Sequence, residues 1–218
     1  MIHFASYYRW LVAKNYWRLP GVFDGPLLDI GGDDGGFLSQ LEAPYKVGLD
    51  LLHRQQTDLD WIQANGCYLP FIDNFFTDIL AFDVIEHVEE DERLLREACR
   101  VLRPGGELWL SVPAHNFFLF PGGFIQDRFE RSIGHVRRGY SAQMLENRLP
   151  PAMHAELLHW NEPAFRFFYV ALYTLKRLTP RLATTLVGII PRIDSLFRKG
   201  EAGHLFAHIT KSVHERAN

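Results

Sequence analysis

Residues 27–51 restrict what this chain can become more than any other stretch. Leu27-Leu28-Asp29-Ile30 is a short apolar run carrying one aspartate, and Gly31-Gly32-Asp33-Asp34-Gly35-Gly36 turns out of it. The spacing of Phe37, Leu38 and Leu41 predicts a helical patch, and a second apolar run, Val47-Gly48-Leu49, closes on Asp50. Glycines let a backbone adopt positive φ and pass close to a ligand, and the amides that open a helix can hold an anionic group. An acidic side chain at the tip of the following strand can accept both hydroxyls of a ribose. The unit therefore reads as a nucleoside site on a strand–turn–helix–strand frame.

The rest of the chain continues the alternation. Asp58–Ala64 is expected as a short helix, Gly66–Pro70 as a turn, and Asp78–Val84 as a strand buried on both faces. Leu94, Leu95, Ala98, Val101 and Leu102 share one side of a helix over Asp91–Leu102, stopped by Pro104-Gly105-Gly106; Glu107–Val112 is the next strand. Such alternation argues for a parallel sheet covered on both faces, with ligands beyond the carboxyl ends of the strands. Asp29, Asp50, Asp83, Glu86 and Ser111 all fall at or near such ends.

Around this centre, residues 4–18 predict an aromatic-rich helix over the core. Phe117–Tyr140 is a loop of aromatics and arginines, Ser141 suits the N-cap of a short helix through Leu149, and His154–His159 and His204–Thr210 have strand patterns. Between those two, residues 161–203 form a long, basic, mostly helical insertion with many apolar side chains. It reads as a helical lid or a homodimer contact ahead of a peripheral membrane contact.

At 218 residues the chain suits one elaborated domain, and a net charge of −3 argues against a nucleic-acid partner. Two cysteines, Cys67 and Cys99, are too few for a disulfide framework or a zinc site. No run reaches the roughly 18 apolar residues of a membrane span, and no signal peptide is evident. A cytoplasmic protein is expected, one that could still rest on a membrane.

Six segments together resemble class I S-adenosylmethionine-dependent methyltransferases, most closely the small-molecule and quinone-type group. They are LLDIGGDDGGF at the first motif, GLDL at the ribose segment, Asn65–Phe71 ending in Leu-Pro-Phe, IDNFFTDILAFDVIEHV, LLREACRVLRPGGELWLSVP, and Gly134–Ser141. Their order and spacing carry the resemblance, since any one alone is a weak signal. One departure stands out: the middle glycine of the family's Gly-x-Gly-x-Gly is Asp33. A nicotinamide-dependent dehydrogenase fits less well, because Asp33 also occupies the second glycine of Gly-x-Gly-x-x-Gly.

The resemblance implies an α/β fold: a Rossmann-like seven-stranded methyltransferase sheet, six strands parallel and the last antiparallel, with helices on both faces and a helical insertion before the last strand. The expected layout is one domain, with an N-terminal helix (1–26), a cofactor core (27–113), a substrate-side segment (114–160), the insertion (161–203) and a last strand and tail (204–218). The implied cofactor is S-adenosylmethionine, held by Asp29, Gly31, Gly32, Asp33 and Gly35, with Asp50 on the ribose, Leu51, Asn65 and Gly66 beside the adenine, and Phe82 and Asp83 lining the fourth strand. His87 and His135 are the candidate bases. Arg137, Arg138 and Tyr140 are candidate substrate ligands, Arg128 and Arg131 further cations of the same loop. Glu86 could orient His87 or help hold a divalent metal, as in some quinone-type relatives, but no ligand cluster is legible and no metal is expected. The acceptor is a small or lipid-linked molecule methylated at oxygen; the rival is a methyltransferase-fold protein that binds a nucleoside or a partner without chemistry.

Overall fold

The computed structural model describes residues 4–52, 59–115, 128, 131, 132, 134–197 and 203–213. Seven strands make one sheet: β1 (Leu27–Ile30), β2 (Lys46–Asp50), β3 (Asp60–Gln63), β4 (Phe76–Phe82), β5 (Leu102–Pro113), β6 (Met153–Trp160) and β7 (His204–Lys211). Their order is β3-β2-β1-β4-β5-β7-β6. β1 to β5 pair in parallel, and β7 runs antiparallel to both β5 and β6. The order reverses at β1, which has β2 on one side and β4 on the other. A crevice opens at such a point beyond the strand ends, and the glycine turn lies there.

Both faces of the sheet are covered. Leu28, Ile30, Val47, Leu49 and Ile79 pack against Leu94, Leu95, Ala98 and Val101 of α2 (Asp91–Val101). On the other face Leu27, Leu80, Trp109 and Phe206 meet Tyr8, Val12 and Trp17 from α1 (Phe4–Tyr16) and the residues that follow it. α3 (Ala142–Glu146) is capped by Ser141, whose side chain accepts from the Met144 amide at 3.1 Å.

The insertion before the last strand is a helical hairpin, α4 (Pro163–Leu178) and α5 (Pro180–Asp194). A buried polar knot ties it to α1. The Tyr8 hydroxyl donates to Asp194 Oδ2 at 2.6 Å and accepts from Trp160 Nε1 at 2.8 Å. The Ala164 amide donates to Asp194 Oδ1 at 2.7 Å, and the Tyr8 and Phe165 rings stack at 4.0 Å.

Two local expectations are overturned. Asp58–Ala64 was expected as a helix, but Asp60–Gln63 is strand β3, in register with β2 from Val47↔Asp60 to Asp50↔Gln63. Gly48 explains this: a β-carbon there would overlap the Trp61 indole, which fits across β2 only because the opposite residue is glycine. The helical patch after the glycine turn shrinks to a single 3₁₀ turn, Leu38–Gln40. Lys46 Nζ donates to the Leu41 carbonyl at 2.7 Å, meeting an orphan acceptor of the turn and drawing the chain into β2.

Candidate active site

The glycine turn is stitched to the end of β2. The Gly31 amide donates to the Leu49 carbonyl at 2.7 Å. Gly31 (φ 73°) has no room for a β-carbon, which would overlap the Val84 side chain. Asp33, the departure from the glycine pattern, takes the same left-handed region with φ 48°, which aspartate tolerates better than most residues. Its side chain is exposed, and its amide donates to Asp50 Oδ2 at 3.2 Å. Asp50 Oδ1 accepts from the Leu52 amide at 3.0 Å. Asp50 therefore faces the turn.

Asp29 lies beneath the turn, and a β-carbon on Gly32 would sit 2.9 Å from its Oδ2. That oxygen is buried and has no hydrogen-bond partner among the described residues. Burial, and then the nearby Asp50 charge, push the Asp29 carboxyl up to about 8. An orphaned buried acceptor suits a cationic donor such as the α-ammonium of S-adenosylmethionine, so the residues at this end fit that cofactor. A consequence for stability can be measured. The folded protein keeps the Asp29 proton to about pH 8, whereas an unfolded aspartate releases it near pH 3.9. Between those values the folded state binds more protons, so stability declines as pH rises, by up to about 1.4 kcal/mol per pH unit. Urea unfolding at pH 5 and pH 7.5 should show that decline, and Asp29→Asn should flatten it.

Leu51, one of the residues expected beside the adenine, is 63% exposed next to Asp50. Asn65 is exposed, and its Oδ1 accepts from the Cys67 amide at 2.9 Å, shaping the turn that buries Gly66. Phe82 packs on Phe37 at 4.6 Å, joining the cluster on the α1 face.

Asp83 directly follows β4, and its carboxylate turns to protein donors. Its Oδ2 pairs with Arg9 Nε at 2.7 Å, and its Oδ1 accepts from His204 Nε2 at 2.7 Å and Ser111 Oγ at 3.1 Å. Burial alone would raise its pKa, but Arg9 and then His204 outweigh it and hold the carboxylate ionised. Both oxygens are thus met by protein donors. Arg9, His204 and the fully buried Glu162, 3.8 Å from His204 Nδ1, were not anticipated. They come from α1, β7 and the start of the hairpin, and no local pattern links them.

The two candidate bases come together. The His87 and His135 rings meet edge to face with centroids 4.6 Å apart. His87 Nδ1 lies 3.1 Å from the Gly134 carbonyl, which can only accept, so Nδ1 carries the proton and Nε2 is left basic in the neutral ring. Desolvation lowers the His87 pKa and favours that neutral ring. The Val136 amide donates to the Glu86 carbonyl at 3.0 Å, pinning His135 next to Glu86. Glu86 is buried, both its carboxylate oxygens lack a hydrogen-bond partner among the described residues, and burial lifts its pKa well above the ordinary range. One ligand atom each from Glu86, His87 and His135 lie within 4.8 Å of one another. The fold thus assembles a candidate metal-ligand cluster, from residues 49 positions apart at the extremes, that was not legible as one.

Two of the expected substrate ligands are structural. Tyr140 is fully buried, and its hydroxyl bonds to Asp91 Oδ2 at 2.7 Å and the Ile85 carbonyl at 3.1 Å. Arg137 Nη1 donates to Asp91 Oδ2 and the Val88 carbonyl at 2.8 Å each, and its Nη2 to the Glu89 carbonyl at 3.0 Å. Together they fasten the loop to the segment after β4. Arg138, Arg128 and Arg131 are exposed; the aromatics at 117, 118, 120, 124 and 129 lie outside the described residues.

With this geometry in hand, residues 28–110 match the family described as a methyltransferase domain. That match runs from β1 into β5, the part of the chain that carries the glycine turn. Among curated relatives, a mitochondrial 2-methoxy-6-polyprenyl-1,4-benzoquinol methylase of Dictyostelium discoideum is 40% identical over 70 residues, covering 31% of this chain and 22% of that protein. An uncharacterized methyltransferase of Mycolicibacterium gilvum is 37% identical over 127 residues, covering 53% and 47%. The chain therefore spans less than two thirds of the length of these relatives. In structure the chain is similar to an S-adenosylmethionine-dependent methyltransferase of Mesorhizobium loti, with TM-score 0.64 and 17% identity over 96% of this chain and 100% of that one. It is also similar to a phosphoethanolamine N-methyltransferase of Haemonchus contortus in complex with S-adenosyl-L-methionine, with TM-score 0.63 and 14% identity over 96% and 56%. The seven-stranded sheet is thus like that of these solved neighbours, and in this chain a helical hairpin joins β6 to β7.

Proposed function

We propose that this chain transfers a methyl group from S-adenosylmethionine to an oxygen of a small or lipid-linked acceptor. The observation that carries the reading is Asp50, whose carboxylate is held by the Asp33 and Leu52 amides at the tip of β2, facing the glycine turn. There it would accept the ribose hydroxyls, with Leu51 and Asn65 beside the adenine and Asp29 meeting the amino-acid end. When bound, the cofactor supplies an electrophilic methyl on a sulfonium whose leaving group is a neutral thioether. No acid is needed for departure, so the protein's tasks are alignment and removal of the acceptor's proton. His87, with Nδ1 anchored and Nε2 basic, is suited to take that proton, and His135 stands against it to orient the pair. The polyprenyl group in the name of the Dictyostelium relative supports a lipid-linked acceptor.

A second route to the same proton rests on the cluster itself. Two imidazoles and a buried carboxylate make a donor set for a divalent cation, and a cation there would favour the ionised form of an acceptor hydroxyl. Methyl incorporation from labelled S-adenosylmethionine into a panel of phenols, hydroquinones and alcohols tests the activity, with Asp50→Ala as the inactive control. Binding of S-adenosylhomocysteine with no transfer to any acceptor would leave a nucleoside-binding protein in the enzyme's place. Chelation separates the two routes: turnover lost with chelator and restored by a divalent cation assigns proton removal to the cation, and unchanged turnover assigns it to His87.

A further inference from the structure

The helical hairpin buries only part of its apolar surface. Along α5, Ala183, Val187, Ile190 and Asp194 face the protein, at i, i+4, i+7 and i+11. Leu182, Leu186, Ile189 and Ile193 repeat the same spacing one position earlier, and all four are exposed. At 3.6 residues per turn these four fall within an arc of about 60°. Exposed Arg181 and Arg192 lie together on a third side of the helix, and exposed Leu196 and Phe197 extend the apolar stripe past its end. On α4, Phe167, Val170 and Leu178 form a second outward row, Phe167 being 82% exposed.

From this arrangement we infer that the α4–α5 hairpin docks on an anionic lipid surface. An apolar stripe flanked by arginines is the pattern of a helix lying in a bilayer interface, its apolar side among the acyl chains and its guanidinium groups at the headgroups. No helix among the described residues is long and apolar enough to cross a membrane, so the contact is peripheral. Charge decides the occupant. Residues 163–197 hold five basic side chains (Arg166, Lys176, Arg177, Arg181 and Arg192) and one acidic one, Asp194, in a chain whose net charge is −3. Asp194 is buried while Arg181 and Arg192 are exposed, so the charge described on the surface of α5 is positive. A second copy of the chain docked through the same face would set arginine against arginine with no acid to meet them, as a two-fold contact requires. An anionic headgroup layer has the complementary sign. This surface also gives the proposed lipid-linked acceptor a place to reside; that part rests on the methyl-transfer reading, while the docking does not.

The test is flotation of the full chain with vesicles of phosphatidylcholine alone or mixed with phosphatidylglycerol. The expected result is binding to the mixed vesicles, weakened by salt, lost with Ile189→Asp, and reduced about tenfold with Arg192→Glu. Ile189 and Arg192 are on the surface, and S-adenosylhomocysteine binding by both variants reports that the fold is intact. Absence of flotation, equal binding to both vesicles, or a salt-insensitive dimer in sedimentation that Ile189→Asp abolishes would each overturn the inference. Failure of methyl transfer with flotation intact would touch only the activity reading.

Discussion

Asp50→Ala should weaken binding of S-adenosylhomocysteine by about 10²–10⁴-fold while leaving the protein folded. Each hydrogen bond from a ribose hydroxyl to an ionised carboxylate contributes about 1.5–3 kcal/mol, and two are lost together. The native contacts of Asp50 are modest by comparison: the Asp33 and Leu52 amides are both exposed-side donors that water can satisfy. Titration calorimetry on the variant and a thermal melt beside it would separate the two effects. An affinity within threefold of the native protein would remove Asp50 from the cofactor site, and with it the observation on which the activity reading stands.

The second large effect is expected far from that turn. Asp194→Ala strips the acceptor from the Tyr8 hydroxyl, the Ala164 amide and the Phe165 amide at once. Unsatisfied buried donors cost about 1–3 kcal/mol each, so a loss of about 3–5 kcal/mol is expected. In a chain of this length that lowers the melting temperature by roughly 10 °C. Hydrogen exchange should show protection falling first in α4, α5 and α1, because the knot joins those three. Asp194→Asn keeps one acceptor oxygen and should lose only part of the stability. A melt unchanged in the alanine variant would mean that α1 and the hairpin are held by their apolar contacts alone.

The half of the fold that carries the glycine turn was legible because its signals are local. Strand runs ending in Asp29 and Asp50, the glycine turn between them, and the Pro104-Gly105-Gly106 stop each depend on neighbours in sequence. Trp61 was misassigned because its strand is set by its partner: Gly48 lies opposite it, and a glycine inside a strand pattern was the available warning. The Arg9–Asp83–His204 network and the Glu86–His87–His135 cluster were beyond reach for a different reason. Arg9 and His204 are 195 positions apart, and nothing in either segment specifies the other. Arg137 and Tyr140 stood out correctly as unusual residues, yet the same chemistry that suits a substrate carboxylate also suits Asp91, and burial chose the internal partner.

Trp160 and His204 are opposite each other across β6 and β7, and the Gly203 amide donates to the Trp160 carbonyl at 2.9 Å, so the hairpin leaves the sheet and rejoins it at one place. α4 and α5 are therefore an excursion from one edge of the sheet, inserted between two neighbouring strands. The contact that locks it down lies elsewhere, where Asp194 at the far end of α5 accepts from the Tyr8 hydroxyl of α1 at 2.6 Å.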